Sequence, residues 1–160
     1  MTLQLKSFLD TIAWAEGTVQ VPNSDNGYKV IVGSTPNRPI LFYDYSDHPY
    51  RSMIIKFHRK IIHSDAAGRY QIMGWIFRHY KKQLRLNDFS PASQDAIAIQ
   101  LIRECRALTD IEYGLINDAL YKCRSRWASL PGAGYGQHEQ LMDKLLEVFT
   151  RVGGIINNVI

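Results

Sequence analysis

The chain has 160 residues, 46% of them apolar and 21% charged, the balance of one ordinary folded domain with a real core. No stretch approaches the roughly 18 to 20 consecutive apolar residues of a membrane helix. The first residues lack the basic and apolar regions of a secretory signal, so stable membrane insertion and secretion by a signal peptide are not expected. The net charge of +4 and pI near 9.1 favour a polyanionic partner: nucleic acid, membrane surface or bacterial wall polymer.

In chain order, Leu5, Phe8, Leu9 and Ile12 recur at helical spacing and predict a helix over 5–16, stopped by Gly17. Residues 18–65 change character. Asn23, Asn26, Gly27, Gly33, Pro36, Asn37 and Pro39 mark turns, and Tyr28–Val32 and Ile40–Tyr43 read as strands of a small antiparallel β lobe. A helix is expected over 66–84, with Tyr70, Met73, Phe77 and Tyr80 on one side. Ser90-Pro91 reads as N-cap and first helical residue of a helix reaching about Cys105. Thr109 and Glu112 have the spacing of a capping box, and Gly114 breaks that segment. The following helix spans about 115–127. A last one, 137–152, carries Leu141, Leu145, Val148 and Phe149 and ends at Gly153-Gly154. The sum is an α+β domain over residues 1–160: an N-terminal helix, a small antiparallel β lobe (about 18–65) and a larger helical lobe, with a cleft between the lobes. Cys105 and Cys123 read as two buried free thiols, with a disulfide possible only if their Cα atoms lie within about 7 Å.

Glu16 is the anomaly in this pattern. At about 100° per residue it returns to within about 20° of Leu9, so a carboxylate lies on the apolar stripe of the first helix. The negative end of the helix dipole and burial both disfavour its anion, which predicts a raised pKa. A carboxylic acid still protonated near neutral pH is what general-acid cleavage of a glycosidic bond requires. A solvated residue of a last helical turn is the competing reading.

The lobe that follows holds Tyr28, Tyr43, Asp44, Tyr45, Ser46, Asp47 and His48. Flat aromatic faces with neighbouring amides and carboxylates suit sugars, so Tyr28, Tyr45, Ser46, Asp47 and His48 are candidate wall residues of a saccharide site. Gly68, Arg69, Tyr70 and Gln71 are read as opening a helix, where backbone N–H groups point at ligand oxygens. The loop containing Gly132, Ala133, Gly134, Tyr135 and Gln137 permits close backbone approach by a bound chain. A tight turn is the alternative for both segments. No GxxxxGK[ST] phosphate loop and no HExxH metal spacing occurs, so no cofactor and no metal is expected. His48, His58, His63, His79 and His138 also read as surface or internally satisfied histidines.

Together, Phe8-Leu-Asp10, Ala13-Trp-Ala-Glu-Gly-Thr18, Gly27-Tyr28, Val30-Ile-Val-Gly33, Asp44-Tyr-Ser-Asp-His-Pro49 and Ala67-Gly-Arg-Tyr-Gln71 are similar to segments of the phage lambda-type endolysins. The likeness continues through Lys82-Gln-Leu84, Asp88-Phe-Ser-Pro91, Ser93-Gln-Asp-Ala96 and Trp127-Ala-Ser-Leu-Pro-Gly-Ala-Gly-Tyr-Gly-Gln137. These are lytic transglycosylases of the lysozyme-like superfamily. The resemblance implies that Glu16 is the catalytic acid. It would protonate the oxygen between N-acetylmuramic acid and N-acetylglucosamine, then act as base on the muramoyl C6 hydroxyl, giving 1,6-anhydromuramoyl ends. It also implies a monomer acting on peptidoglycan glycan strands, held in the host cytoplasm until a holin releases it to the periplasm and wall, with lysis as the outcome.

Three alternatives stay open. A hydrolytic muramidase on the same bond would need a partner carboxylate, for which Asp25, Asp44 and Asp47 are nearest in sequence. The resemblance makes Asp44 and Asp47 lobe-stabilising or binding groups. A non-catalytic wall-binding module is the second. A nucleic-acid binder is the third, opposed by the scatter of Lys and Arg. The chain departs from the family in the composition of 19–26, in a longer 32–39 loop and over 50–65.

Overall fold

The computed structural model describes residues 1–57 and 60–157. The chain divides into two compact units, one formed by 1–15 with 98–160 and one by 16–97.

The first unit is helical. Helix α1 (Leu3–Ala15) buries Phe8, Leu9, Ile12 and Ala13. Each large side chain of that stripe contributes on the order of 2 kcal/mol by leaving water, more than any helix propensity in the segment. Thr2 caps the helix, its Oγ1 accepting the Leu5 N–H at 3.2 Å. Helix α1 packs on α4 (Leu108–Glu112) and α6 (Met142–Arg151), and α5 (Ile116–Cys123) packs on both α4 and α6. Ile111, Ile116, Leu120, Leu145, Val148 and Phe149 are buried there. The last turn of α6 leads into Gly153 at φ +103°, where the helix stops as expected. Leu141 differs from expectation: it is the N-cap of α6 and 71% exposed, so it sits outside the stripe. Gln4 fastens the C-terminal segment, exchanging two 2.8 Å hydrogen bonds with the backbone of Ile155.

The second unit is rich in turns. Its regular sheet is one antiparallel hairpin, β1 (Met53–Phe57) and β2 (Lys60–Ser64), with Ile55 opposite Ile62. The strands expected at Tyr28–Val32 and Ile40–Tyr43 do meet, but through the single bridge Val30–Leu41, and further bridges join Ile31 and Ile72 to Ala67. Prolines and turn residues on either side shorten those pieces below a ladder. The expected helix over 66–84 is confined to α2 (Gly74–Gln83). Gly68 at φ +81° and Gln71 at φ +49° are left-handed, so 68–71 form a turn. Helix α3 (Pro91–Glu104) begins as expected, the Ser90 hydroxyl accepting the Ser93 N–H at 3.4 Å. The capping box is not formed: α4 starts one residue before Thr109, and Glu112 accepts the Thr2 hydroxyl at 2.6 Å instead. Cys123 is buried and Cys105 half-buried, both as free thiols. His58 lies outside the described residues.

Candidate active site

Glu16 follows the last residue of α1 directly and is half-buried. Gly17 at φ +75° then turns the chain into a short 3-10 turn, Thr18–Gln20. A β-carbon is costly in that left-handed conformation, so glycine is the residue that lets the chain leave the helix immediately after the carboxylate. The turn is held from beneath. Buried Thr18 donates its hydroxyl to the Arg69 carbonyl at 2.7 Å. Gly27 approaches Thr18 so closely that a β-carbon would stand 2.8 Å from its hydroxyl oxygen.

Arg69 and Tyr70 were expected at ligand-binding distance; their side chains are each only 2% exposed. The Arg69 guanidinium donates to the Asn26 carbonyl and lies 5.3 Å over the Tyr28 ring. The Arg69 N–H is taken by Gln94 Oε1 at 2.9 Å, and the Gly68 N–H by the Val30 carbonyl at 2.8 Å. Residues 68–70 are therefore interior scaffolding, and the helix-start anion site expected there is not formed. Gln71 stays half-exposed, its amide donating to the Gly68 carbonyl at 3.0 Å.

Tyr28 remains at the surface in part. Its hydroxyl and that of Tyr70 both donate to Asp95 Oδ1, at 2.8 and 2.6 Å. Burial, then the Asp95 hydrogen bond and charge, push the Tyr28 phenol up to about 12. Burial first, then Asp95, raises Tyr70 as well. Both rings are neutral donors throughout the physiological range. Tyr45 is half-exposed, donates to Asp25 Oδ2 at 2.7 Å, and is raised by burial and then by Asp25.

Ser46 and Asp47 are exposed. The Ser46 N–H donates to Asp44 Oδ1 at 2.8 Å, and that bond holds the Asp44 carboxyl below its usual range. Asp47 Oδ1 accepts the His48 N–H at 2.9 Å and faces Lys81 Nζ at 3.3 Å. His48 is corrected from ligand contact to core: it is 2% exposed and packs on Phe77 and Phe89. The Tyr50 N–H donates to its Nδ1 at 3.0 Å, which leaves the proton on Nε2 to donate to the Ile72 carbonyl at 2.9 Å. The reading of His48 as an internally satisfied histidine is the one the structure supports.

In the other unit, the glycine-rich loop is a stack of left-handed turns, Gly132, Gly134 and Gly136 lying at φ +76°, +76° and +69°. Glu139 clamps it, its two oxygens accepting the Gly132 and Gly134 N–H groups at 2.8 Å each. Those two bonds hold the Glu139 carboxyl below its usual range. Tyr135 is exposed with its hydroxyl on the Ser125 carbonyl at 2.9 Å, Ala133 is half-exposed, and Gln137 is exposed. Gln140, just beyond, reaches the Ala15 carbonyl at 3.4 Å, one peptide from Glu16.

Three supports were absent from the sequence reading. Gln94 is fully buried and donates to the Tyr28 and Phe89 carbonyls at 3.1 and 2.9 Å. Asp95 and Glu139 are the others. The signal for Gln94 was a polar residue on the buried face of α3. For Glu139 it was a carboxylate just after three glycines whose N–H groups need acceptors.

The Endolysin family profile matches residues 6–156. The chain belongs to the endolysin family. It is 50% identical over 155 residues to the endolysin of Escherichia phage P2, covering 94% of this chain and 93% of the relative. It is 46% identical over 158 residues to the endolysin of Escherichia phage lambda, covering 98% and 95%. The structure superposes on bacteriophage lambda lysozyme complexed with a chitohexasaccharide with a TM-score of 0.88, at 46% identity and 98% coverage of both chains. A second lambda lysozyme structure gives 0.84 at 44% identity, again with 98% of both chains covered. The fold is thus the α+β lysozyme-like fold of a phage endolysin, an enzyme class that acts on peptidoglycan. Among the described residues no helix is long and apolar enough to cross a membrane.

Proposed function

We propose that this endolysin is a lytic transglycosylase that cleaves the β-1,4 bond between N-acetylmuramic acid and N-acetylglucosamine, with Glu16 as its acid and base. The observation that carries the reading is the position of Glu16: half-buried, at the carbonyl end of α1, on a turn fixed by Thr18 and Arg69. Helix carbonyls and desolvation both favour the neutral acid, the form that donates. The chitohexasaccharide bound by the lambda lysozyme supports a glycan as ligand.

Glu16 gives its proton to the bridging oxygen as the C1–O bond breaks. The resulting carboxylate then takes the proton of the muramoyl C6 hydroxyl, whose oxygen closes on C1. The proton count balances and no water is consumed. One carboxyl group therefore suffices, whereas a hydrolase needs a second group to act as nucleophile or to activate water. The three carboxylates named from the sequence as candidate partners are engaged in structural roles. Asp25 accepts Tyr45, Asp44 accepts Ser46 N–H, and Asp47 accepts His48 N–H.

Tyr28, Tyr45, Ser46, Asp47 and Gln71 are proposed to contact the glycan, and Gly132, Ala133, Gly134, Tyr135 and Gln137 are proposed as further contacts. Gly68, Arg69, Tyr70 and His48 support the former from the interior. The enzyme is proposed to act as a monomer, to remain in the host cytoplasm until a holin opens the membrane, and then to reach the wall and lyse the host.

Digestion of purified peptidoglycan, read by mass spectrometry of the muropeptides, tests the chemistry. Anhydromuramoyl ends are expected, lighter by one water than reducing ends. Reducing ends would replace the proposal with a muramidase. Glu16→Gln is expected to lower kcat by about 10² to 10⁴ with the fold intact, the usual contribution of a general acid. Full activity in that variant would remove Glu16 from the mechanism.

A further inference from the structure

The mechanism uses neither cysteine, yet the helical unit sets them face to face. Side-chain contacts join the chain around the end of α3 to the chain around the end of α5, on both flanks of the pair. On one flank Arg126 Nη2 meets Glu104 Oε2 at 3.2 Å. On the other, Lys122 Nζ lies 3.5 Å from the Arg106 carbonyl and 2.5 Å from Asp110 Oδ2. Cys105 lies between Glu104 and Arg106, and Cys123 follows Lys122, so the two cross-links bracket the two sulfurs. The two thiols are neighbours, each the leading influence on the other's ionisation, with the Arg126 guanidinium beside the Cys105 sulfur. A disulfide between them requires Cα atoms within about 7 Å of each other.

We infer that Cys105 and Cys123 form a redox-active dithiol that closes to an intramolecular disulfide when the folded protein meets a small-molecule disulfide oxidant. The two sulfurs have different tasks. The thiolate is the nucleophile in thiol–disulfide exchange. The neighbouring Cys123 thiol and then Arg126 favour the Cys105 thiolate, while Cys105 and burial keep Cys123 protonated. Cys105 is also the more accessible, half-buried where Cys123 is fully buried. Cys105 sulfur attacks the oxidant's disulfide, forming a mixed disulfide and expelling one thiolate. Cys123 then loses its proton and attacks the Cys105 sulfur, expelling the second thiolate. The protein loses two hydrogens and the oxidant is reduced to two thiols. The bridge ties two helix ends within one unit, so it restricts the unfolded chain and raises stability. A reducing compartment keeps the pair open, and an oxidising one closes it.

The native, reduced protein is equilibrated with mixtures of oxidised and reduced glutathione, acid-quenched, and read by intact mass and a non-reducing peptide map. The expected species is a monomer lighter by two hydrogens, with one cross-linked pair of peptides holding Cys105 and Cys123 and a raised thermal midpoint. Cys123→Ala is expected to stop at a single glutathione adduct on Cys105, and Cys105→Ala to stay unmodified while folded. Independent adducts on both cysteines of the wild type, disulfide-linked dimers, or a folded protein that stays reduced where its urea-unfolded form oxidises would each overturn the inference. So would a lower midpoint for the oxidised form.

Discussion

Gly68 shows how one missing carbon organises the site's interior. It sits at φ +81°, and a β-carbon there would collide with the Gln94 amide. That amide serves the Arg69 N–H and the Tyr28 and Phe89 carbonyls. Gly68→Ala therefore carries two costs. One is about 1–2 kcal/mol for a left-handed alanine. The other is about 1–3 kcal/mol for each buried polar group that loses its partner as Gln94 shifts. Gly134 has a similar φ of +76°, but a β-carbon there meets nothing within 4 Å. Gly134→Ala should cost the backbone term alone. Urea midpoints of the two variants check this, with Gly68→Ala expected to be the less stable by at least about 1 kcal/mol. Equal midpoints would mean that the Gln94 network contributes nothing. Glu16 stands out in the sequence because a charge on an apolar stripe violates a period that can be counted. Arg69 and Tyr70 were misplaced because the motif that marks them does not say which way they face. Their burial follows from long-range partners, Asn26 for the one and Asp95 for the other.

At the scale of elements, His48 joins the segment after Tyr45 to the bridge residue Ile72 and to α2 through Phe77. Burial pushes its pKa below the ordinary 6.5 despite its bond to Ile72. Between the folded value and 6.5 the unfolded chain binds more protons, so stability rises with pH across that window. It is full above about 6.5 and is lost as pH falls through the folded value. Urea unfolding of the wild type should show this slope, and His48→Gln should flatten it while lowering the neutral-pH midpoint. A slope unchanged in the variant would assign the effect to other groups. The glycine-rich loop gives a second prediction. Glu139→Ala removes the acceptor of two N–H groups, so amide exchange at Gly132 and Gly134 should accelerate, and the KM for peptidoglycan should rise with kcat nearly constant. Protection unchanged in the variant would mean that the glycine turns hold themselves. Helix ends with local chemistry were legible: Gly17, Ser90-Pro91 and Gly153. The hairpin was not, because Ile54-Ile55 and Ile61-Ile62 break strict alternation and Ile54 and Ile61 remain more than 60% exposed. Aromatic spacing over 70–80 imitated a helical stripe, although Tyr70 enters the core from a turn.

For the whole molecule the governing quantity is charge. The net +4 is spread over many exposed Lys and Arg side chains and no dense stripe, so it acts as a weak long-range field on an anionic polymer. Such a field is screened over about 8 Å at physiological ionic strength and about 3 Å at 1 M. A neutral sugar carries no charge for that field to act on. Binding to the intact wall and binding to a chitooligosaccharide should therefore separate under salt. Sedimentation with purified, anionic cell walls should weaken progressively from about 0.05 to 0.5 M salt, a range across which the screening length falls severalfold. Affinity for neutral chitohexaose, followed by tyrosine and tryptophan fluorescence, should stay within about twofold over the same range, because its contacts are not Coulombic. If both fall together, charged side chains grip the glycan itself and the set of proposed glycan contacts is incomplete. If neither falls, the positive excess has no part in holding the enzyme to its substrate, and wall retention rests on the glycan contacts alone.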